Sequence, residues 1–79
     1  MPRIWYEEGF SFSFYSSDGA EPPHVHVTRG DGAAKWWLRG PEEAWSSRFK
    51  RSERARIRRI IVAKQAVLLE AWRRAFGGV

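Results

Sequence analysis

Six consecutive residues, Phe10-Ser11-Phe12-Ser13-Phe14-Tyr15, alternate strictly between an apolar ring and a hydroxyl-bearing side chain. Successive side chains of a strand point to opposite faces, so the run reads as a β-strand with three phenylalanines on one face and Ser11, Ser13 and Tyr15 on the other. Such a strand cannot stand alone, because each ring has on the order of 150–250 Å² to remove from water. The chain has 79 residues and no cysteine, so neither a disulfide framework nor a thiolate zinc site can stand in for a core. A domain of this size buries only about 60% of the surface its unfolded chain exposes. Its five tryptophans and five phenylalanines must therefore supply much of that burial.

The rest of the first half extends the same pattern. Ile4-Trp5-Tyr6 reads as an edge strand and Glu8-Gly9 as a tight turn. Residues 16–23 form a loop rich in Ser, Asp, Gly and Pro, in which Pro22 and Pro23 fix an extended approach to the strand His24–Arg29. Gly30-Asp31-Gly32 is a hairpin turn, and Ala33 to Leu38 returns as another strand. Gly40-Pro41-Glu42-Glu43 can open a short helical turn or lead into one more short strand.

From Arg51 to Phe76 the period changes. Ile57, Ile60, Ile61, Val67, Leu68, Ala71, Trp72 and Ala75 recur at three- and four-residue spacing, which predicts one amphipathic helix of about seven turns ended by Gly77-Gly78. Lys64 falls inside the stripe, as a snorkelling side chain near the core edge does. The helix needs an apolar sheet face and the sheet needs a cover. Phe10, Phe12, Phe14, Val25, Val27, Ala34, Trp36 and Leu38 can provide that face. The expected fold is α+β in two layers: a three- or four-stranded antiparallel meander on one long C-terminal helix. The domain is single (1–79), with the meander in 1–39, a connecting segment in 40–50 and the basic helix in 51–76.

Charge divides the chain unevenly. Residues 1–47 carry four basic and seven acidic side chains, whereas residues 48–79 carry ten basic and two acidic ones. A helix with Arg51, Arg58, Arg59 and Arg73 projecting from its apolar stripe suggests an anionic partner, either nucleic acid or an acidic protein. No apolar run approaches the roughly 20 residues of a membrane span, and no basic-then-apolar leader opens the chain. The expectation is a soluble cytoplasmic protein.

Both histidines stand in Pro22-Pro23-His24-Val25-His26-Val27. If Val25 and Val27 face the helix, the opposite face carries Ser11, Ser13, Tyr15, His24, His26, Thr28, Lys35 and Trp37. Three chemistries are open to it. Rings beside cations suit single-stranded RNA or a protein surface, with Trp37 as an anchor. His24, His26, Lys35 and Tyr15 can act as base, acid and clamp in a metal-independent ribonuclease. A His-x-His pair can also ligate a metal, but zinc or iron needs further donors. Asp18, Glu21 and Asp31 are the only nearby acids, none at a diagnostic spacing. No cofactor is expected.

The combination Phe14-Tyr15-Ser16-x-Asp18, Pro22-Pro23-His24-Val25-His26-Val27, Ala34-Lys35-Trp36-Trp37-Leu38 and Leu68-Leu69-Glu70-Ala71-Trp72 before Phe76-Gly77 closely resembles the bacterial domain-of-unknown-function family 4160. The resemblance covers essentially the whole chain. It implies a product of a small two-gene operon, of a kind proposed to belong to toxin–antitoxin modules, and it carries no catalytic assignment. The arginine-rich helix departs from many relatives, in which acidic and basic residues are more mixed. The expected function is thus a binding component of a toxin–antitoxin-like module, contacting a cognate small protein from a neighbouring gene, RNA or DNA, with a second copy of the chain as a further candidate partner.

Overall fold

The computed structural model describes residues 3–77. Strands β1 (Arg3–Glu7), β2 (Phe10–Ser13), β3 (His24–Arg29), β4 (Gly32–Trp37) and β5 (Glu42–Ser47) form one antiparallel sheet in chain order, followed by helices α1 (Arg51–Ala63) and α2 (Gln65–Phe76). The fold is α+β, as expected, with two corrections. The sheet has five strands rather than three or four, because the segment 40–50 contains β5. Of the two readings open for Gly40-Pro41-Glu42-Glu43, the strand is the one realised. Its weak alternation hid it: Glu42, Ala44, Trp45 and Ser47 are all exposed on this edge strand.

The second correction concerns the helix, which is interrupted at Lys64 (φ −110, ψ 17). No proline or glycine causes this. Two tertiary tethers meet there instead. The Gln65 side-chain amide donates to the Leu38 carbonyl at 2.6 Å, just past the end of β4, and the Lys64 ammonium lies 5.1 Å from the Trp5 ring centroid. The interruption changes the burial of the predicted stripe. Leu68 and Trp72 are buried, whereas Val67 and Ala75 are exposed. Gly77 caps α2 at φ 78, and Gly78 lies outside the described residues.

The turns follow from their residues. Glu8 and Gly9 both adopt positive φ, the backbone that a two-residue hairpin with matching twist requires. Gly32 is required for space: a Cβ there would stand 2.3 Å from the Phe49 ring, which covers the start of β4. At the start of α1, the Glu53 carboxylate accepts from the Lys50 amide at 2.8 Å, satisfying a donor close to the helix start.

The core sits between the sheet's inner face and the helices. All eight sheet residues expected there are buried, together with Ile57, Ile60, Ile61, Leu68 and Trp72. Trp72 meets Phe14 edge-on with centroids 5.2 Å apart, and Phe76 lies 4.4 Å from Trp72. The end of α2 thereby closes over the exit of β2, where the loop to β3 begins.

Candidate functional site

The register of β3 on β4 pairs His24 with Trp37 and His26 with Lys35, so these four residues share one face near one end of the strand pair. The grouping agrees with the alternation. The openness expected of that face does not hold at His24, which is fully buried, while His26, Lys35 and Trp37 are half-buried.

Two elements enclose it. The loop between β2 and β3 is built around Asp18: its amide donates to the Tyr15 carbonyl at 2.9 Å, and the Tyr15 amide donates to Asp18 Oδ2 at 2.7 Å. One 3-10 turn, Asp18–Ala20, then leads to the two prolines. The Leu38 amide donates to the Pro23 carbonyl at 3.0 Å, continuing the β3–β4 ladder past His24. From the other side, the ring of Trp72 on α2 lies 5.3 Å from that of His24, and Trp37 meets His24 edge-on at 5.5 Å. Phe76 lies so close above the loop that a Cβ on Gly19 would stand 2.8 Å from its ring.

Within this enclosure Asp18 faces both imidazoles. Its Oδ1 is 3.2 Å from His24 Nε2, and its Oδ2 is 3.2 Å from His26 Nε2. The ring of Tyr15, itself exposed, stacks on His26 at 4.1 Å. Burial on its own would raise the Asp18 carboxyl. The Tyr15 amide, His24 in its protonated form and a hydrogen bond from His26 outweigh it and hold the group below its ordinary value. Around the rim, the Lys35 ammonium donates to Glu21 Oε1 at 2.6 Å and sits 4.6 Å from the Trp37 ring centroid. That hydrogen bond from Lys35 is the main cause of a lowered Glu21 carboxyl.

A second surface lies on the helix side. Arg51, Arg54, Ala55 and Arg58 of α1 line a cleft of about 460 Å³ with Trp36 of β4 and Glu43 of β5. Arg54 donates from Nε and Nη2, one edge of its guanidinium, to the two oxygens of the Glu43 carboxylate at 2.9 and 2.8 Å, which reinforces its charge. Arg51 and Arg58 are exposed and form no ion pair among the described residues, and Arg59 is exposed as well. Arg73 is set apart on α2, paired with Glu70.

The sequence-derived candidates thus fall into two groups. Tyr15, His24, His26, Lys35 and Trp37 come together, while Arg51 and Arg58 share a cleft that Arg59 and Arg73 do not line. Asp18 is the residue that spacing left undistinguished from Glu21 and Asp31. Its hydroxyl-rich loop and the two prolines that turn the chain back were the only marks it carried. Asp31 sits in the hairpin at the opposite end of β3. Trp36, Glu43, Arg54 and Trp72 gave no sequence signal of a site, since each was legible only as core or as charge.

Residues 9–73 match the family described as Domain of unknown function (DUF4160). No curated protein and no solved structure matches the chain.

Proposed function

The chain belongs to the DUF4160 family, and from that premise we propose that it is a binding component of a toxin–antitoxin-like module whose basic helix engages an anionic partner. The partner is either the cognate small protein of a neighbouring gene or nucleic acid. The observation that carries this reading is the cleft in which three arginines of one helix converge beside Trp36. Arg51, Arg54 and Arg58 recur at three and four residues, so their guanidiniums lie along one helix face. Arg54 is already matched by Glu43, which leaves Arg51 and Arg58 as the donors most ready to meet a phosphate or carboxylate. Placement in a toxin–antitoxin-like pair rests on the resemblance to the family, and cytoplasmic location on composition.

The test is binding at two salt concentrations. Short single- and double-stranded oligonucleotides and the purified product of the adjacent gene serve as ligands. If Arg51 and Arg58 each displace one counterion, affinity for nucleic acid falls roughly 7- to 12-fold between 50 and 200 mM salt. The double variant Arg51→Ala/Arg58→Ala should flatten that dependence. Salt-insensitive binding, or binding unchanged in the double variant, overturns the assignment to this helix. A ribonuclease is the alternative, and RNA cleavage lost in His26→Ala would move the reading there.

A further inference from the structure

The hydrogen bonding of His24 fixes which of its nitrogens is a base. Its Nδ1 is 2.9 Å from the Pro22 carbonyl, which only accepts, so Nδ1 carries the proton and donates. In the neutral ring Nε2 is then a lone pair. That atom is completely buried and, among the described residues, has no hydrogen-bond partner. Asp18 Oδ1 approaches it at 3.2 Å, but off the direction a hydrogen bond needs. With the ring neutral, two acceptors thus face each other out of water, an arrangement that costs free energy unless a proton or a metal ion lies between them. His26 Nε2 reaches the same carboxylate from the other side, and the three residues can each offer one donor atom with all three atoms within 4.8 Å of one another.

We infer that Asp18, His24 and His26 bind a first-row divalent transition metal ion, zinc being the ion that best suits two imidazoles and one carboxylate. Asp18 Oδ1 lies 3.2 Å from His24 Nε2 and 3.4 Å from His26 Nε2, and donors that far apart that each stand about 2.1 Å from an ion subtend roughly 100–110° at it, within the octahedral-to-tetrahedral range. The Pro22 carbonyl supplies the outer support typical of a ligating histidine, fixing the tautomer and aiming Nε2 inward. Tyr15, stacked on the His26 ring, holds the second imidazole in place. Glu21 is not a ligand: its carboxylate lies on the protonated side of His24, 3.7 Å from Nδ1, and is held by Lys35. Three protein donors fall one short of a closed tetrahedral site, and the remaining position belongs to water. The metal joins the β2–β3 loop to β3, and it involves none of the residues of the arginine cleft.

The experiment uses untagged full-length protein stripped with a chelator, titrated with zinc(II) and cobalt(II). One equivalent should bind, cobalt should give visible absorption bands from nitrogen–oxygen coordination, and zinc at a hundredfold excess over Kd should raise Tm by roughly 10–20 °C. Asp18→Asn and His26→Gln each lower affinity roughly a hundredfold or more, whereas Glu21→Gln leaves it within about threefold. His26 is only half-buried, so its variant decides the matter if Asp18→Asn does not fold. Absence of stoichiometric binding tighter than about 100 µM overturns the site, and so does binding that survives in His26→Gln. Because the two surfaces share no residue, loss of the metal site would leave salt-dependent partner binding intact, and the reverse.

Discussion

The inner face of the sheet and the loop-covered end of β3 both bury side chains, by opposite chemistry. On the inner face, Phe10, Phe12, Val25 and Val27 are buried against Ile57, Ile60, Ile61 and Leu68. Their contribution scales with area and is indifferent to direction. At the end of β3, Asp18 and His24 are buried polar groups, each needing a partner in a particular direction. A residue lost from the first region removes surface, whereas one lost from the second strands the groups that faced it. The second region tolerates change less per atom, which is the usual condition of a site as opposed to a core.

The largest effect should come from the apolar side. Phe12→Ala removes a fully buried ring and should cost about 3–5 kcal/mol of unfolding free energy by urea denaturation. A cost under about 1 kcal/mol would mean that the inner face is not the main support of the sheet. Gly32→Ala tests packing from the opposite direction, since the new methyl would meet the Phe49 ring. It should cost about 1–3 kcal/mol, with Phe49→Ala in the same chain relieving part of the strain.

The polar side is tested by pH. With chelator present, Asp18→Asn should cost about 1–3 kcal/mol at neutral pH by removing the carboxylate charge that the Tyr15 amide and the His26 ring meet. The Asp18 carboxyl lies lower in the folded than in the unfolded chain. Its stabilisation is therefore fully present above the unfolded value and is lost as pH falls through the folded one. Wild type should lose stability over that acid range while Asp18→Asn shows a shallower loss; parallel curves would break the contrast between the two regions. The smallest effect belongs to Glu43→Gln, which removes a surface ion pair and should leave stability almost unchanged in urea denaturation. It also releases Arg54, so affinity for an anionic oligonucleotide should rise severalfold in a filter-binding or anisotropy assay.

The inner face was legible residue by residue, because period-2 alternation in β2, β3 and β4 leaves little freedom about which side chains meet the helices. The outer face was legible as a grouping: Tyr15, His24, His26, Lys35 and Trp37 do lie together. Its closure was not, because Trp72 and Phe76 come from α2 and read in sequence only as part of an apolar stripe. Nor did the stripe foretell the interruption at Lys64, beside which Gln65 hydrogen-bonds to Leu38, 27 residues away from it along the chain. Strand β5 escaped notice because an exposed edge strand keeps only a faint alternation.

Sequence alone determined the class of the fold, the sheet's share of its core and its charge asymmetry, since all three follow from residue type and local spacing, and a resemblance in its motifs carried the family. Tertiary structure alone decided that Asp18, rather than Glu21 or Asp31, joins the two histidines, and that His24 is buried with Nε2 turned inward. A loop's path depends on what packs over it, and no periodicity along the chain records a contact made by a helix some fifty residues later.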